Sequence, residues 1–231
     1  MKVKQLKEKV LDANLELVRR GLVLYTWGNV SQIDREKELV AIKPSGVDYD
    51  KLQADDIVVL TLDGEQVEGD LRPSSDTPTH LVLYRAFEAV GGIVHTHSTW
   101  ATSWAQAGLS IPCYGTTHAD YFYGEVPCAR DLTTEEIDGE YEVQTGNVIV
   151  KTFEHTDPVA VPGVLVAHHG PFSWGKNGAD AVYHAAVLEQ VAWMAANTRR
   201  INEDAIAAPQ DLQDKHYNRK HGKNAYYGQE K

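Results

Sequence analysis

Cysteine is scarce in this chain: two in 231 residues, Cys113 and Cys128, fifteen positions apart and in no CxxC pair. A chain of this length can bury its own core, so the scarcity excludes a disulfide framework and points to a reducing compartment. Long apolar runs are missing too. No stretch approaches the ~18 apolar residues of a membrane span, and the opening MKVKQLKEKVLDANLELV alternates charged and apolar residues where a signal peptide needs a continuous apolar core. Positive charge is in deficit: 22 Lys+Arg against 33 Asp+Glu leave a net −11, a surface that repels nucleic acid and anionic membranes. Any phosphate it binds must be held locally. Repeats, linkers and low-complexity segments are absent as well, and with 42% hydrophobic and 24% charged residues the composition is that of an ordinary folded protein. These deficits predict one cytoplasmic domain over residues 1–231, with neither nucleic acid nor membrane as a partner.

What is present is punctuated by turn and cap residues. Val3, Leu6, Val10, Leu15 and Val18 recur at helical intervals, and Gly21 stands where a helix wants a left-handed terminator. Leu22–Tyr25, Leu39–Ile42 and Ile57–Leu62 read as strands, with Asp63-Gly64 as a hairpin turn. Thr77-Pro78 predicts a helix start, with Thr77 as N-cap, for a helix running about fourteen residues to Gly91-Gly92. Ile93–His97 and Val164–Ala167 read as strands, Trp100, Trp104 and Ala107 share a helix face, and Ala181, Val182, Ala185, Leu188, Val191, Ala192 and Ala195 form the stripe of the longest helix. Strands and helices interleave without a βαβ rhythm. The expected fold is therefore an α/β sandwich around a mostly antiparallel or mixed sheet. The polar tail 211–231, with Tyr217, Tyr226 and Tyr227 as its aromatic anchors, docks on its own subunit or on a neighbour.

Chemistry concentrates in histidine. In Ile93-Val94-His95-Thr96-His97 the two imidazoles point to one face of a strand and can reach one metal ion. A second apolar strand ends in Ala167-His168-His169-Gly170, so a third nitrogen ligand is available, the set of a catalytic divalent site with a position left for substrate. Ordinary hydrogen-bonded histidines at a strand end are the alternative. A cupin is set aside, because no carboxylate follows within five residues of His97. Gly28-Asn29, Ser45-Gly46 and Ser74-Ser75 are three loops whose glycines allow close backbone approach and whose polar side chains donate hydrogen bonds; taken singly, each also reads as a plain turn.

Six motifs in order, Thr26–Ser31, Lys43–Val47, Pro73–His80, His95–Ser98, Gly115–Asp120 and Ala225–Gly228, resemble the class II aldolase family of metal-dependent sugar-phosphate lyases, and within it the 4-epimerases that act on L-ribulose 5-phosphate. The resemblance implies a three-layer αβα subunit, a four-fold homotetramer with active sites between neighbours, and a zinc or manganese ion. It places metal ligands on His95, His97 and His169, with Asp76 as a further ligand or close partner. It places a phosphate site on Gly28, Asn29, Lys43, Ser45, Gly46, Ser74 and Ser75. Asp120 and Tyr227 become the proton-transfer pair, the tyrosine from the neighbouring subunit, and His216 lines the site from the tail. Family members carry a histidine two positions before the third ligand; here Ala167 stands there and His168 beside it. Adjacent strand residues face opposite sides, so only one of His168 and His169 points inward, and His169 is chosen.

The reaction so implied inverts carbon 4 of a 2-ketose. The hydrogen on that carbon is not acidified by a carbonyl two bonds away, so the bond between carbons 3 and 4 must break, leaving an enediolate and glycolaldehyde phosphate. Each face of the released aldehyde then needs a proton donor or acceptor. The aromatic neighbours of Asp120, Tyr121, Phe122 and Tyr123, are expected to raise its carboxyl pKa by desolvation. Two alternatives stand beside this reading: a fuculose-phosphate-type aldolase that lets the aldehyde leave, and a non-catalytic adducin-like binding module.

Overall fold

A computed structural model of the chain describes residues 1–227; Gly228, which closes the last motif, and the end of the expected tail lie outside them. The elements are α1 (Val3–Arg19), β1 (Asn29–Asp34), β2 (Leu39–Ile42), β3 (Val58–Thr61), β4 (Gln66–Glu68), α2 (Thr77–Ala86), β5 (Gly92–His95) and α3 (Thr99–Gln106), followed by α4 (Thr116–Ala119), β6 (Cys128–Ala129), α5 (Thr134–Asp138), α6 (Tyr141–Thr152), β7 (Gly163–Val166), β8 (Gly170–Gly175), α7 (Gly178–Ile201) and α8 (Gln210–His221). The strands form one mixed sheet in the order β4-β3-β2-β1-β5-β8-β7-β6, antiparallel throughout except for the β6–β7 pair.

Strand alternation sorts the sheet into two covered faces. Val30 and Val94 point to a cluster with Ala13 and Leu17 of α1 and Ala181 and Val182 of α7. Ser31 and Ile33 point the other way: Ser31 bonds His80 and Tyr84 of α2, and Ile33 joins a cluster with Leu81, Leu83 and Tyr84. α6 packs beside α2. Helices on both faces make three layers, which is why β1, β5 and β7 are buried along their whole length.

Several local expectations need correction. The buried stripe of α1 is Leu6, Val10, Ala13 and Leu17, while Val18 is exposed and Leu15 half-buried, a phase one residue off the apolar pattern. Gly21 does take a left-handed φ of +67° beyond the helix end. Leu22–Leu24 has no regular structure and leads into a turn at Tyr25-Thr26, with Leu24 and Tyr25 exposed and Tyr25 at φ +53°; Gly28, at φ +74°, then turns the chain into β1. α2 spans ten residues rather than fourteen, begins at Thr77 with Asp76 in the N-cap position, and ends at Phe87, where Arg35 donates to the carbonyls of Tyr84, Phe87 and Val90. The strand expected over Ile93–His97 ends at His95. The tail is helical from Gln210 to His221 and docks on its own subunit through Asp120.

Candidate functional site

The α2-facing side of the sheet brings Asn29, His95 and Phe172 into register across β1, β5 and β8. The Phe172 ring stacks on His95 at 4.3 Å and fixes its plane. His95 Nδ1 lies 3.0 Å from the carbonyl oxygen of Pro171, a contact only an N–H satisfies, so Nδ1 carries the proton and Nε2 presents its lone pair. That Nε2 faces Nε2 of His97 at 3.1 Å, and the His169 ring stands 4.7 Å from His95 and 5.3 Å from His97. One ligand atom from each of the three histidines falls within 4.8 Å of the others. Burial lowers the pKa of all three, His95 to about 3. Three neutral imidazoles whose ligand atoms converge fit a divalent ion; without one, His97 Nε2–H can donate to His95 Nε2 across the same 3.1 Å.

Backbone geometry selects which of the paired histidines enters. His168 takes a left-handed φ of +59° at the turn between β7 and β8 and points out, its ring 3.2 Å from Asp131; His169 turns in, with Tyr141 Oη 3.3 Å from its Nδ1. Asp76 occupies the N-cap position of α2 without capping it; its carboxylate instead accepts from Asn29 Nδ2 at 2.6 Å. Burial would raise this carboxyl, but the imidazoles of His95 and His80 and the Asn29 amide reverse that and keep it ionised.

These residues open into a cavity of about 470 Å³. Gly28, Asn29, Lys43, Ser45, Gly46, Ser74 and Ser75 all line it together with Asp76 and the three histidines. Two of the loops are tied to each other, since Ser45 N donates to Arg72 O and Ser74 N to Lys43 O, so their donors form one rim. Lys43 is fully buried beneath it, 4.8 Å over the Tyr49 ring, with no ion pair among the described residues, and burial pushes its pKa down to about 8. Asp48 acts on this ammonium only from beyond ion-pair distance, and the ammonium's one hydrogen bond among the described residues is to the Pro44 carbonyl at 3.3 Å, so the rim combines a buried positive charge with hydroxyl and amide donors. Trp27, part of the first motif but given no role there, also lines the cavity, as do Tyr141 and Glu142, which went unnoticed in the sequence because nothing marked the start of α6. A larger groove of about 820 Å³ runs between α1 and α7, without a comparable cluster of ligating groups among the described residues.

Asp120, His216 and Tyr227 do not line the triad cavity; they form a second cluster at α4 and α8. Arg219 donates to both Asp120 oxygens at 2.9 and 2.6 Å, His216 Nδ1 lies 3.1 Å away, and His221 Nε2 donates to the Asp120 carbonyl at 2.9 Å. The expected rise in the Asp120 pKa is overturned. Burial does push it up, but the bonds from Arg219 and His216 and the charge of Lys220 outweigh that and hold the carboxyl below its ordinary value. The Tyr227 ring lies near Arg219 and Lys220, and the residue is 61% exposed.

A family model described as the Class II Aldolase and Adducin N-terminal domain matches residues 8–196, and the chain belongs to that family. Among solved structures it resembles an L-fuculose 1-phosphate aldolase at 27% identity, covering 92% of this chain and 94% of that one with a TM-score of 0.78. It also resembles YgbL from Klebsiella pneumoniae, at 25% identity over 93% and 99% of the two chains with a TM-score of 0.72. An L-fuculose-1-phosphate aldolase from Thermus thermophilus shares the fold at 21% identity, over 87% and 99%, with a TM-score of 0.68. The sandwich described above is the class II aldolase fold.

Proposed function

We propose that this protein is a metal-dependent epimerase that interconverts L-ribulose 5-phosphate and D-xylulose 5-phosphate by breaking and remaking the bond between carbons 3 and 4. The observation that carries the reading is the three-histidine cluster lining a cavity whose rim holds a buried lysine and paired serine loops. His95, His97 and His169 hold a divalent ion, zinc or manganese, with Asp76 beside it; when bound, that ion supplies Lewis acidity for the negative charge left on the three-carbon fragment. The rest falls to the chain. Lys43 and the loops at Gly28-Asn29, Ser45-Gly46 and Ser74-Ser75 hold the phosphate of the two-carbon fragment, so the aldehyde turns about a fixed anchor instead of escaping. Asn29 donates to the Asp76 carboxylate at the reacting end of the cavity.

Asp120 and Tyr227 are the proposed proton-transfer pair, Tyr227 exchanging the proton with the sugar oxygen and Asp120 anchoring α8, and with it the tyrosine, through Arg219. They lie outside the triad cavity of their own chain, and Tyr227 is largely exposed, which supports a homotetramer in which the tyrosine reaches the site of a neighbouring subunit. The chain then works as a cytoplasmic enzyme on a pentose phosphate. A coupled assay on L-ribulose 5-phosphate with and without chelator tests the reading: turnover that survives strict metal removal refutes it, and so does exchange of the carbon-4 hydrogen with heavy water. The likeness to an L-fuculose 1-phosphate aldolase favours a second reading, cleavage with release of the aldehyde. Free glycolaldehyde phosphate accumulating in place of the epimer would decide for it.

A further inference from the structure

The Lys220 side chain is 11% exposed, and its ammonium sits 3.9 Å over the Tyr121 ring and 4.3 Å over the Tyr227 ring, 3.8 Å from Asp120 Oδ2. The two rings differ in how they are held. Tyr121 is fixed to the body of the subunit, because Tyr183 of α7 donates to its hydroxyl at 2.8 Å and the two rings pack edge to face. Tyr227 follows the end of α8, where its amide and that of Tyr226 both donate to the Arg219 carbonyl, and the residue as a whole is largely exposed. Arg219 also faces Tyr227, at 4.9 Å, but its guanidinium is already committed to both oxygens of Asp120. Lys220 makes only the longer contact to that carboxylate, so its charge is shared with the two ring faces.

We infer that Lys220 is a positioning residue: its ammonium, sandwiched between the anchored Tyr121 ring and the exposed Tyr227 ring, sets where the Tyr227 hydroxyl stands relative to Asp120. The link rests on the proposed role of Tyr227 in proton transfer. A cation between two aromatic faces holds both at van der Waals distance without consuming either hydroxyl, which leaves Tyr227 Oη free for substrate. Lysine suits the place because its stem packs along the buried side while its head reaches the rings.

The test combines exchange with kinetics on the full chain. In Lys220→Met, which keeps the stem and removes the charge, amide exchange over residues 222–227 should quicken while the rest of the protein exchanges as before. Its kcat should fall about tenfold at nearly constant KM, the size that two partly exposed cation–aromatic contacts can supply. Lys220→Arg, which restores a cation over both rings, should recover most of the loss. In a Tyr227→Phe background the Lys220→Met change should cost nothing further, because the group it positions is already gone. Unchanged exchange in Lys220→Met overturns the inference, and so does a full additional loss in the Tyr227→Phe background. If the exchange effect appears in a protein without epimerase activity, the positioning contact stands and the proposed function fails.

Discussion

Replacing Gly28 with alanine should damage the metal site from a distance. Gly28 has φ +74°, and a Cβ built there meets the His95 carbonyl oxygen at 2.8 Å, Val23 Cγ1 at 2.9 Å and Thr96 Cα at 3.4 Å. The left-handed conformation costs alanine about 1 kcal/mol, and relieving the overlap with backbone atoms adds about 1–3 kcal/mol. For a domain of this size the sum lowers the unfolding midpoint by about 5–15 °C. The displacement has one cheap direction. Asn29 and His95 are register partners and β8 flanks β5 on its other side, so pushing the end of β5 off β1 displaces His95 and His97 relative to His169 at the β7–β8 turn. Ligation tolerates shifts of only ~0.2 Å, so metal affinity should drop by about 10–100-fold, as when a supporting contact of a metal site is lost. Calorimetry of loaded and stripped protein, with chelator competition for the metal, measures both. Gly21→Ala is the control: φ is +67° there, but nothing lies within 4 Å of the added carbon, so it should lose about 1 kcal/mol and bind metal as before. A Gly28→Ala variant with the thermal loss and undiminished metal affinity would refute the coupling between this turn and the triad.

Other perturbations address the remaining parts of the site. His97→Asn should fold, lose its stoichiometric metal and lose turnover together; metal analysis beside the assay checks it, and an active metal-free variant removes His97 from the ligand set. Lys43→Met should raise KM for the phosphorylated sugar by at least about tenfold, the value of one charge-assisted contact to phosphate. Because the Lys43 pKa lies at about 8, kcat/KM of the wild type should decline above that pH and the variant should lack that limb. Asp120→Asn should cut epimerisation by orders of magnitude with metal retained. Its carboxyl has a folded pKa held below the ordinary value of 3.8, so docking of α8 through it is complete above that value and is lost as pH falls through the lowered one. Amide exchange of residues 210–227 across an acid series should show that loss in the wild type, while the variant exchanges fast at every pH.

Much of the scaffold was readable because the signals were local. Gly21, Asp63-Gly64 and the small-residue stripe of α7 each impose a conformation on their own neighbourhood, and the structure has a helix end, a hairpin and a 24-residue helix at those places. Misreadings arose where a tertiary contact overrides the local pattern. Leu22–Tyr25 has strand composition, but the close approach of Gly28 to His95 forces a turn there, at the cost of a left-handed tyrosine. α2 stops at Phe87 because that residue leaves the helix to pack against Phe153 and Trp174, partners more than sixty positions away. α6 gave no signal, since its buried face includes Gly146 and Thr145, chosen for close packing on Val82 and Thr79 of α2 and carrying no apolar rhythm.

The site divides along the same line. His97 lies two residues past His95, the last residue of β5, and alternation carried that far is enough to aim the two together, whereas Tyr141 and Glu142 reach the cavity only because α6 packs on α2. Asp120 shows the limit of reasoning from neighbours in sequence. Its aromatic flanks argue for a raised pKa, yet Phe122 turns into the core and the groups that actually surround the carboxylate come from α8, ninety-six to one hundred positions later. With two cations and an imidazole around one carboxylate, the cluster carries surplus positive charge on an acidic protein. That surplus bears on function. Asp120 stays ionised at neutral pH and takes up a proton poorly, while Tyr227 stands exposed beside Arg219 and Lys220, so the tyrosine is the better placed of the two to give and recover a proton on a sugar oxygen. Asp120 then contributes chiefly by holding α8, and through it the tyrosine, in place. A Tyr227→Phe loss larger than that of Asp120→Asn is what this division of labour requires; the reverse order would return the proton to the aspartate.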